Sequence, residues 1–551
     1  MSPEPRSGQP SSLVDPITLE VVRNAVLSIA EEMAVIMMRS ARAPLLKEAG
    51  DLSCAITDAA GRLVAQGRDI PIHLGVMAFT VKEFLKQVPP ERLRPGDVYF
   101  TNLKEVGGNH LPDVKAIRPV FHGNELVAFA INLAHWPDIG GAIAGSYYPT
   151  ATEIYQEGLQ IPPLKLFDDR GVDRTYLELI LRNVRGREER EGDILAQYAT
   201  NAVAAERLDE VFQAHGRKVV LDCFDRFLAE SEQQMRAAIR ELPDGRYEGE
   251  DFLDDDGLGS GPIPIRVAIQ VRGEEATFDF TGTSPQVRGP LNTTFFATCS
   301  AVFYACKTLL GPDIAPNDGA YRCLRVNAPP GTILNAGPEA PVVGGNHETS
   351  MRVVDAILRA LAPVLPGRVG AGGPTTSGLT LLTGRRADGS TFLFYEPHGG
   401  GEGATAWRDG TNAVRVHMSN VMNTPIEVVE TEYPLRIEAY ALRPGSAGRG
   451  RFRGGLGLRR AYRILAEEAQ VTTMLERAIV PPWCLDGGAP GAPYRITLER
   501  DGAAHPVQGK ETVVLRRGDL LVVETCGGGG VGPPEARDPA LREADRADGY
   551  L

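Results

Sequence analysis

Two of the nine histidines stand in dense polar strings. The first string is Gly107-Gly108-Asn109-His110-Leu111-Pro112-Asp113, which sets His110 and Asp113 three residues apart. Its two leading glycines let the backbone approach a neighbour closely. The second is Asn132-Leu133-Ala134-His135-Trp136-Pro137-Asp138-Ile139-Gly140-Gly141, directly after the apolar run LVAFAINLA. His135 therefore belongs at a strand end, where loops commonly carry sites. Two imidazoles with carboxylates nearby suit a divalent transition metal. Imidazole binds Zn, Mn and Fe, and carboxylates shift the preference towards harder ions. The competing reading makes these residues turn formers, Asx-type caps and a packed His, because H-x-x-D is a short pattern.

The other polar strings are less specific. His73, in Ile70-Pro71-Ile72-His73-Leu74-Gly75, has an apolar context and by itself reads as a core histidine. His347 and Glu348 precede an apolar helical pattern, where they would cap it or face an anion. His398 is followed by Gly399-Gly400-Gly401-Glu402-Gly403. No G-x-x-x-x-G-K-[ST] is present, since Gln508-Gly509-Lys510-Glu511 lacks both the first Gly and the hydroxyl residue. The run Gly527–Gly530 leads to Pro533-Pro534 rather than to a helix, so it reads as a structural turn. A nucleotide held in a P-loop is not expected in this chain.

The elements that must position these residues are mixed. Asp15-Pro16 signals a helix start, an N-cap followed by a first-turn proline. Val22, Val26, Ile29, Met33, Ile36 and Met37 then share one face to about Arg39 or Ser40. Short apolar pieces between 44 and 165 read as strands. From about 170 to 242 breakers nearly vanish and helices are expected, interrupted at Gly216. A hairpin is expected over 265–283 with its turn near Arg272-Gly273, and Thr349 or Ser350 is placed to cap a further helix. After about 430 short strands and Gly-rich turns dominate. The expected class is α/β or α+β, with several mixed sheets. The βα alternation of a Rossmann fold or TIM barrel is missing. The expected divisions are a disordered leader over 1–14, an N-terminal domain over 15–260 carrying the histidine strings, a central α/β domain over 261–430 and a β-rich region over 431–551.

Composition narrows the function. The chain has 551 residues, 43% hydrophobic and 23% charged, so it can bury a large core. The net charge of −13 argues against nucleic acid, which needs clustered Lys and Arg. Seven scattered Cys without a C-x-x-C fit reduced thiols in a cytoplasmic protein. No apolar run reaches the roughly 18 residues of a membrane span. The 61 Gly and 41 Pro demand many turns.

Taken in order, ten strings resemble the hydantoinase B/5-oxoprolinase family, which also supplies subunits of acetone and acetophenone carboxylases and of caprolactamase. They are KEAGDLSCAITDAAGRLVAQ, IPIHLG, GDVYFTN, GGNHLPDV, AHWPDIGG, GGNHETSMRVVDAILRAL, GGGEGA, NTPIEVVETEYPLRIEAYALR, GRFRGGLGLRR and GGGGVGPP. The resemblance implies a divalent metal (Zn, Mn or Fe) on Glu48, His110, Asp113 and His135. It makes His73 and Asp138 candidates for the substrate pocket and for proton relay. It also implies a hydantoinase A-type partner with an actin-like ATPase fold that uses the ATP, in a hetero-oligomer, and a cyclic amide or ketone as substrate. Three readings compete: ring opening of a lactam or hydantoin, ketone carboxylation, and a non-catalytic scaffold. One departure stands out. The family's T-N-D-P-x-x-G-G-x-H reads here Thr101-Asn102-Leu103-Lys104-Glu105-Val106-Gly107-Gly108-Asn109-His110. If the missing Asp shapes the site, the substrate differs.

Overall fold

The structure is a computed structural model describing residues 14–551; nearly all of the expected leader, 1–13, lies outside the described residues. Among the described residues, 20 strands form four sheets and helices pack against them, as the mixed class requires.

The first sheet carries the histidine strings. Seven antiparallel strands run in the order Leu63–Gln66, Leu52–Asp58, Glu125–His135, Asp113–His122, Val98–Thr101, Leu164–Asp168 and Gly171–Val172. Both faces are buried. Ala116, Ala128, Ala130 and Ala134 join a core with the helices Pro16–Ser40 and Arg187–His215. Ile117, Phe129, Ile131 and Leu133 join a second core with the helix His73–Gln87. Covering on both faces explains why LVAFAINLA is continuous rather than alternating.

Local signals behaved as their chemistry requires. Asp15 caps the first helix by accepting from the backbone N–H groups of Ile17 and Thr18, both at 3.0 Å. The helical stretch breaks at Gly216, whose φ of +80° lies outside helical values. The hairpin pairs Ile263–Arg272 with Glu275–Asp279. One cap differs. The helix Thr349–Leu361 begins after Glu348 with no side-chain cap. Thr349 Oγ1 instead donates to Leu291 O at 2.5 Å and Ser350 Oγ to Asn346 O at 2.5 Å, fastening the helix start to the loops around it.

The expected domain divisions do not follow the sheets. Gly245–Leu253, placed before residue 260, pairs with Ile263–Arg272 in the second sheet. The third sheet joins Leu379–Arg385 to Glu468–Met474, across the expected boundary at 430. Breaker-rich composition marks turns, but it does not say which strands pair across them. The third and fourth sheets share one core, in which Phe394 and Val471 meet Tyr462 and Leu521. A buried ion cluster ties the second sheet and the helix Thr349–Leu361 to the segment after Glu468–Met474: Arg477 Nη2 lies 2.6 Å from Asp251 Oδ2 and 2.5 Å from Asp355 Oδ2. No helix among the described residues is long and apolar enough to cross a membrane. All seven cysteines are unpaired.

The run Gly527–Gly530 is packed against other loops. A Cβ on Gly528 would stand 1.9 Å from Glu402 O, which is backbone and cannot yield. Gly528→Ala should therefore cost at least ~2 kcal/mol, read as a fall in the denaturation midpoint. A second prediction concerns pH. Asp69 Oδ2 accepts from Cys54 N at 2.7 Å, and burial pushes the Asp69 carboxyl up to about 6. An unfolded Asp ionises near 3.8, so the wild type loses stability between about pH 4 and 6. Asp69→Asn keeps an acceptor and removes the titration. Its stability advantage should grow across that window and level off above it, in melts run from pH 4 to 8.

Candidate metal centre

Antiparallel register places the first two donors. Asp113 opens one strand and His135 closes its neighbour, and the two are directly paired. Side chains of paired residues stand about 5 Å apart on one face of the sheet. His135 Nδ1 lies 2.8 Å from Asp113 Oδ1. The turn before the strand brings the third donor, since Asp113 N donates to His110 O at 3.2 Å. His110 Nε2 then lies 3.0 Å from the same carboxylate oxygen. One ligand atom from each of the three falls within 4.8 Å of the others.

A second layer fixes these side chains. His110 Nδ1 donates to Val343 O at 3.1 Å, and its Nε2 is thereby turned to the Asp113 carboxylate. The Val343 segment is held by Glu157, whose carboxylate accepts from Val342 N at 3.0 Å and Val343 N at 2.9 Å. Burial pushes the Glu157 carboxyl up to about 8. His73 bridges Ser53 Oγ, 2.7 Å from Nδ1, and Asp113 Oδ2, 3.3 Å from Nε2. Asn109 also donates to Asp113 Oδ2. Burial disfavours the Asp113 anion, but the His110 charge and the hydrogen bonds from the three imidazoles outweigh it. They hold the carboxyl well below its usual range.

The donor set fits a divalent ion. Two imidazoles and one carboxylate converge, and His135 Nε2 is buried with no hydrogen-bond partner. Such an orphaned lone pair or N–H is costly in a dry site.

The remaining sequence candidates divide. His73 lines the same small chamber as His110, Asp113 and His135. Asp138 is not among the chamber's lining residues. Its buried carboxylate accepts from Gly140 N, Gly145 N and Arg185 N, each at 2.8 Å, and pairs with Arg185 Nη1 at 3.1 Å. It builds the loop. Glu48 closes the short helix Pro44–Lys47 and stands outside both the donor cluster and the chamber lining. Asp51, three residues on at the start of a strand, lines the chamber instead. The two altered family positions point elsewhere. Leu103 packs against the core, and Lys104 Nζ donates to Gly337 O at 2.7 Å. Glu105 is exposed and replaces neither.

Tyr147, Tyr395 and Arg415 carried no signal in the sequence, whereas His347 stood in a marked polar string. Tyr147 and Tyr395 meet hydroxyl to hydroxyl at 3.1 Å. His347 is held neutral, its pKa well below the usual range because of burial and the positive charge of His110 and His135. Arg415, Asn346 and Ser377 complete the polar wall.

The Hydantoinase B/oxoprolinase family matches residues 15–534. The chain belongs to that family. Among its members, the beta subunit of caprolactamase from Pseudomonas jessenii is 32% identical over 98% of this chain and 94% of the relative. A crystal structure of ATP-dependent caprolactamase from the same organism matches with a TM-score of 0.92 at 30% identity, covering 98% of this chain and 95% of that one. 5-Oxoprolinase 1 of Arabidopsis thaliana is 32% identical over 95% of this chain, which spans only 42% of that longer protein.

Glu157 touches no donor atom of the cluster, yet it sets the carbonyl that orients His110. Glu157→Ala should weaken metal binding by ~10–100-fold with the three donors intact. Titration of chelator-treated protein with Zn²⁺ or Mn²⁺ measures this.

Proposed function

We propose that this chain is the metal-holding subunit of an ATP-dependent enzyme that opens a cyclic amide or imide such as a lactam or hydantoin. The observation that carries this reading is the buried convergence of His110, Asp113 and His135 within 4.8 Å, in a member of the hydantoinase B family. A divalent ion held there would supply Lewis acidity and lower the pKa of water. Asp51 stands nearer than Glu48 to the position of a fourth donor, because it lines the chamber and Glu48 does not. Relatives named as a subunit and as ATP-dependent support a partner that uses ATP, in line with the absence of a P-loop. The partner in this reading is a hydantoinase A-type actin-like ATPase.

The chain's own residues have distinct tasks. His73 orients Asp113 through Nε2 and is itself oriented by Ser53. His347 lines the chamber with its buried Nε2 free of a hydrogen-bond partner among the described residues, the position from which it takes up a proton in this reading. It lies with Nδ1 3.0 Å from Glu348 Oε1, which fixes the ring. Burial raises the pKa values of the Tyr147 and Tyr395 hydroxyls and keeps them protonated; Tyr395 donates to Tyr147, which leaves the Tyr147 O–H to donate to a developing oxyanion. Asp138 holds its loop and moves no proton.

Metal analysis of purified wild-type, His110→Ala and His135→Ala proteins is the first test. The wild type is expected to hold about one ion and each variant less than ~10% of that, since every first ligand matters. Full occupancy in both variants would sink the ligand assignment. With the partner ATPase present, ATP-dependent opening of a lactam, hydantoin or oxoproline is expected, and His347→Ala should lower its rate by ~10²–10⁴. ATP-dependent fixation of labelled bicarbonate with a ketone, in place of ring opening, would assign carboxylation instead.

A further inference from the structure

The chamber around the donors has a volume of about 30 Å³, room for about one water. No lactam ring fits there as it stands. Beside it lies a groove of about 710 Å³. Two residues, Arg415 and Ser419, line both spaces.

Arg415 is unusual among the arginines with little exposure. Arg190, Arg352, Arg460 and Arg477 are fully buried, and each has a carboxylate within ion-pair distance. Arg415 is partly buried and, among the described residues, forms no ion pair. Its Nη1 donates to Ser377 O at 3.1 Å, and its Nη2 donates to Ser419 Oγ at 2.9 Å and to Ser377 Oγ at 3.5 Å. These partners hold the guanidinium in place but do not neutralise it. A guanidinium has five N–H donors, so at least two remain for a ligand. Burial lowers its pKa from the ordinary value, and the Asp51 and Glu348 carboxylates nearby offset this only in part.

The backbone around it is strained. Ala413 and His417, two residues to either side, have φ of +57° and +58°. Such values in non-glycine residues cost about 1 kcal/mol or more each, and they persist where the surroundings impose them. His417 is imposed by Asp355 Oδ1, 3.4 Å from its Nε2. The loop thus presents Arg415 at the junction rather than in open solvent.

We propose that Arg415 is an oxyanion-recognition residue, with Ser377 and Ser419 as its positioning residues. It binds an anionic group, phosphoryl or carboxylate, on a small molecule that passes from the groove to the donor cluster. A cation with free N–H groups and no ion-pair partner suits either group. The inference rests on the ring-opening reading only for what happens next, at the cluster.

The test is calorimetric titration of the full chain, with any subunit that co-purifies, using inorganic phosphate and, separately, acetate at low ionic strength. Saturable binding of one or both is expected. Phosphate alone identifies a phosphoryl site, and acetate alone or as well identifies a site that accepts a carboxylate. Arg415→Gln should weaken binding at least ~10-fold, the loss of one charge-assisted pair, and Arg415→Lys should restore part of it. If Arg415→Gln does not fold, Ser419→Ala, which frees the guanidinium, should weaken binding ~3-fold or more. Binding of neither anion by the wild type overturns the proposal. So does equal binding by wild type and variant, the result expected of an anion held by a metal instead. The titration uses no turnover, so failed ring opening would leave a positive result standing, and successful ring opening would not rescue a negative one.

Discussion

A single carboxylate organises this protein's centre. Asp113 is fully buried and receives three imidazoles and an asparagine amide. A charge in that position is tolerable only while those partners stay in place. Strand register supplies His135, a turn supplies His110, and the start of the helix His73–Gln87 supplies His73. Two more layers then keep those partners still, Ser53 behind His73 and the Glu157–Val343 link behind His110. Much of the surrounding loop architecture can be understood as support for one oxygen atom pair.

The glycines serve the same end from a distance. The loops that close the C-terminal part approach one another backbone to backbone, with Gly528 against Glu402 as one instance. Contacts this close bring the third and fourth sheets together with the loop that carries Arg415. The composition is therefore a sign of dense loop packing and not of looseness.

How much of this was legible follows from the range of each interaction. The Asp15 cap, the break at Gly216 and the turn at Arg272-Gly273 depend on neighbouring residues, and their chemistry can be read directly. His110, Asp113 and His135 lie in two short strings, so they too were visible. Glu48 came from the resemblance alone; it closes a short helix outside the chamber lining, while Asp51, three residues on, lines the chamber. Asp138 sits in an equally suggestive string but is spent on backbone N–H groups. Tyr147, His347, Tyr395 and Arg415 come from segments scattered over most of the chain, and no local pattern marks them as neighbours. The sheets cross the expected divisions for the same reason, since strand pairing across residue 430 is long-range.

That division of labour has a temporal side. The three donors come from the N-terminal sheet and its turn, within residues 98–135, although His110 is oriented from Val343. The lid over them, from Asn346 to Val421, is synthesised much later and packs through other sheets. The donors thus belong to one stretch of chain and the roof that closes over them to another, far along the sequence.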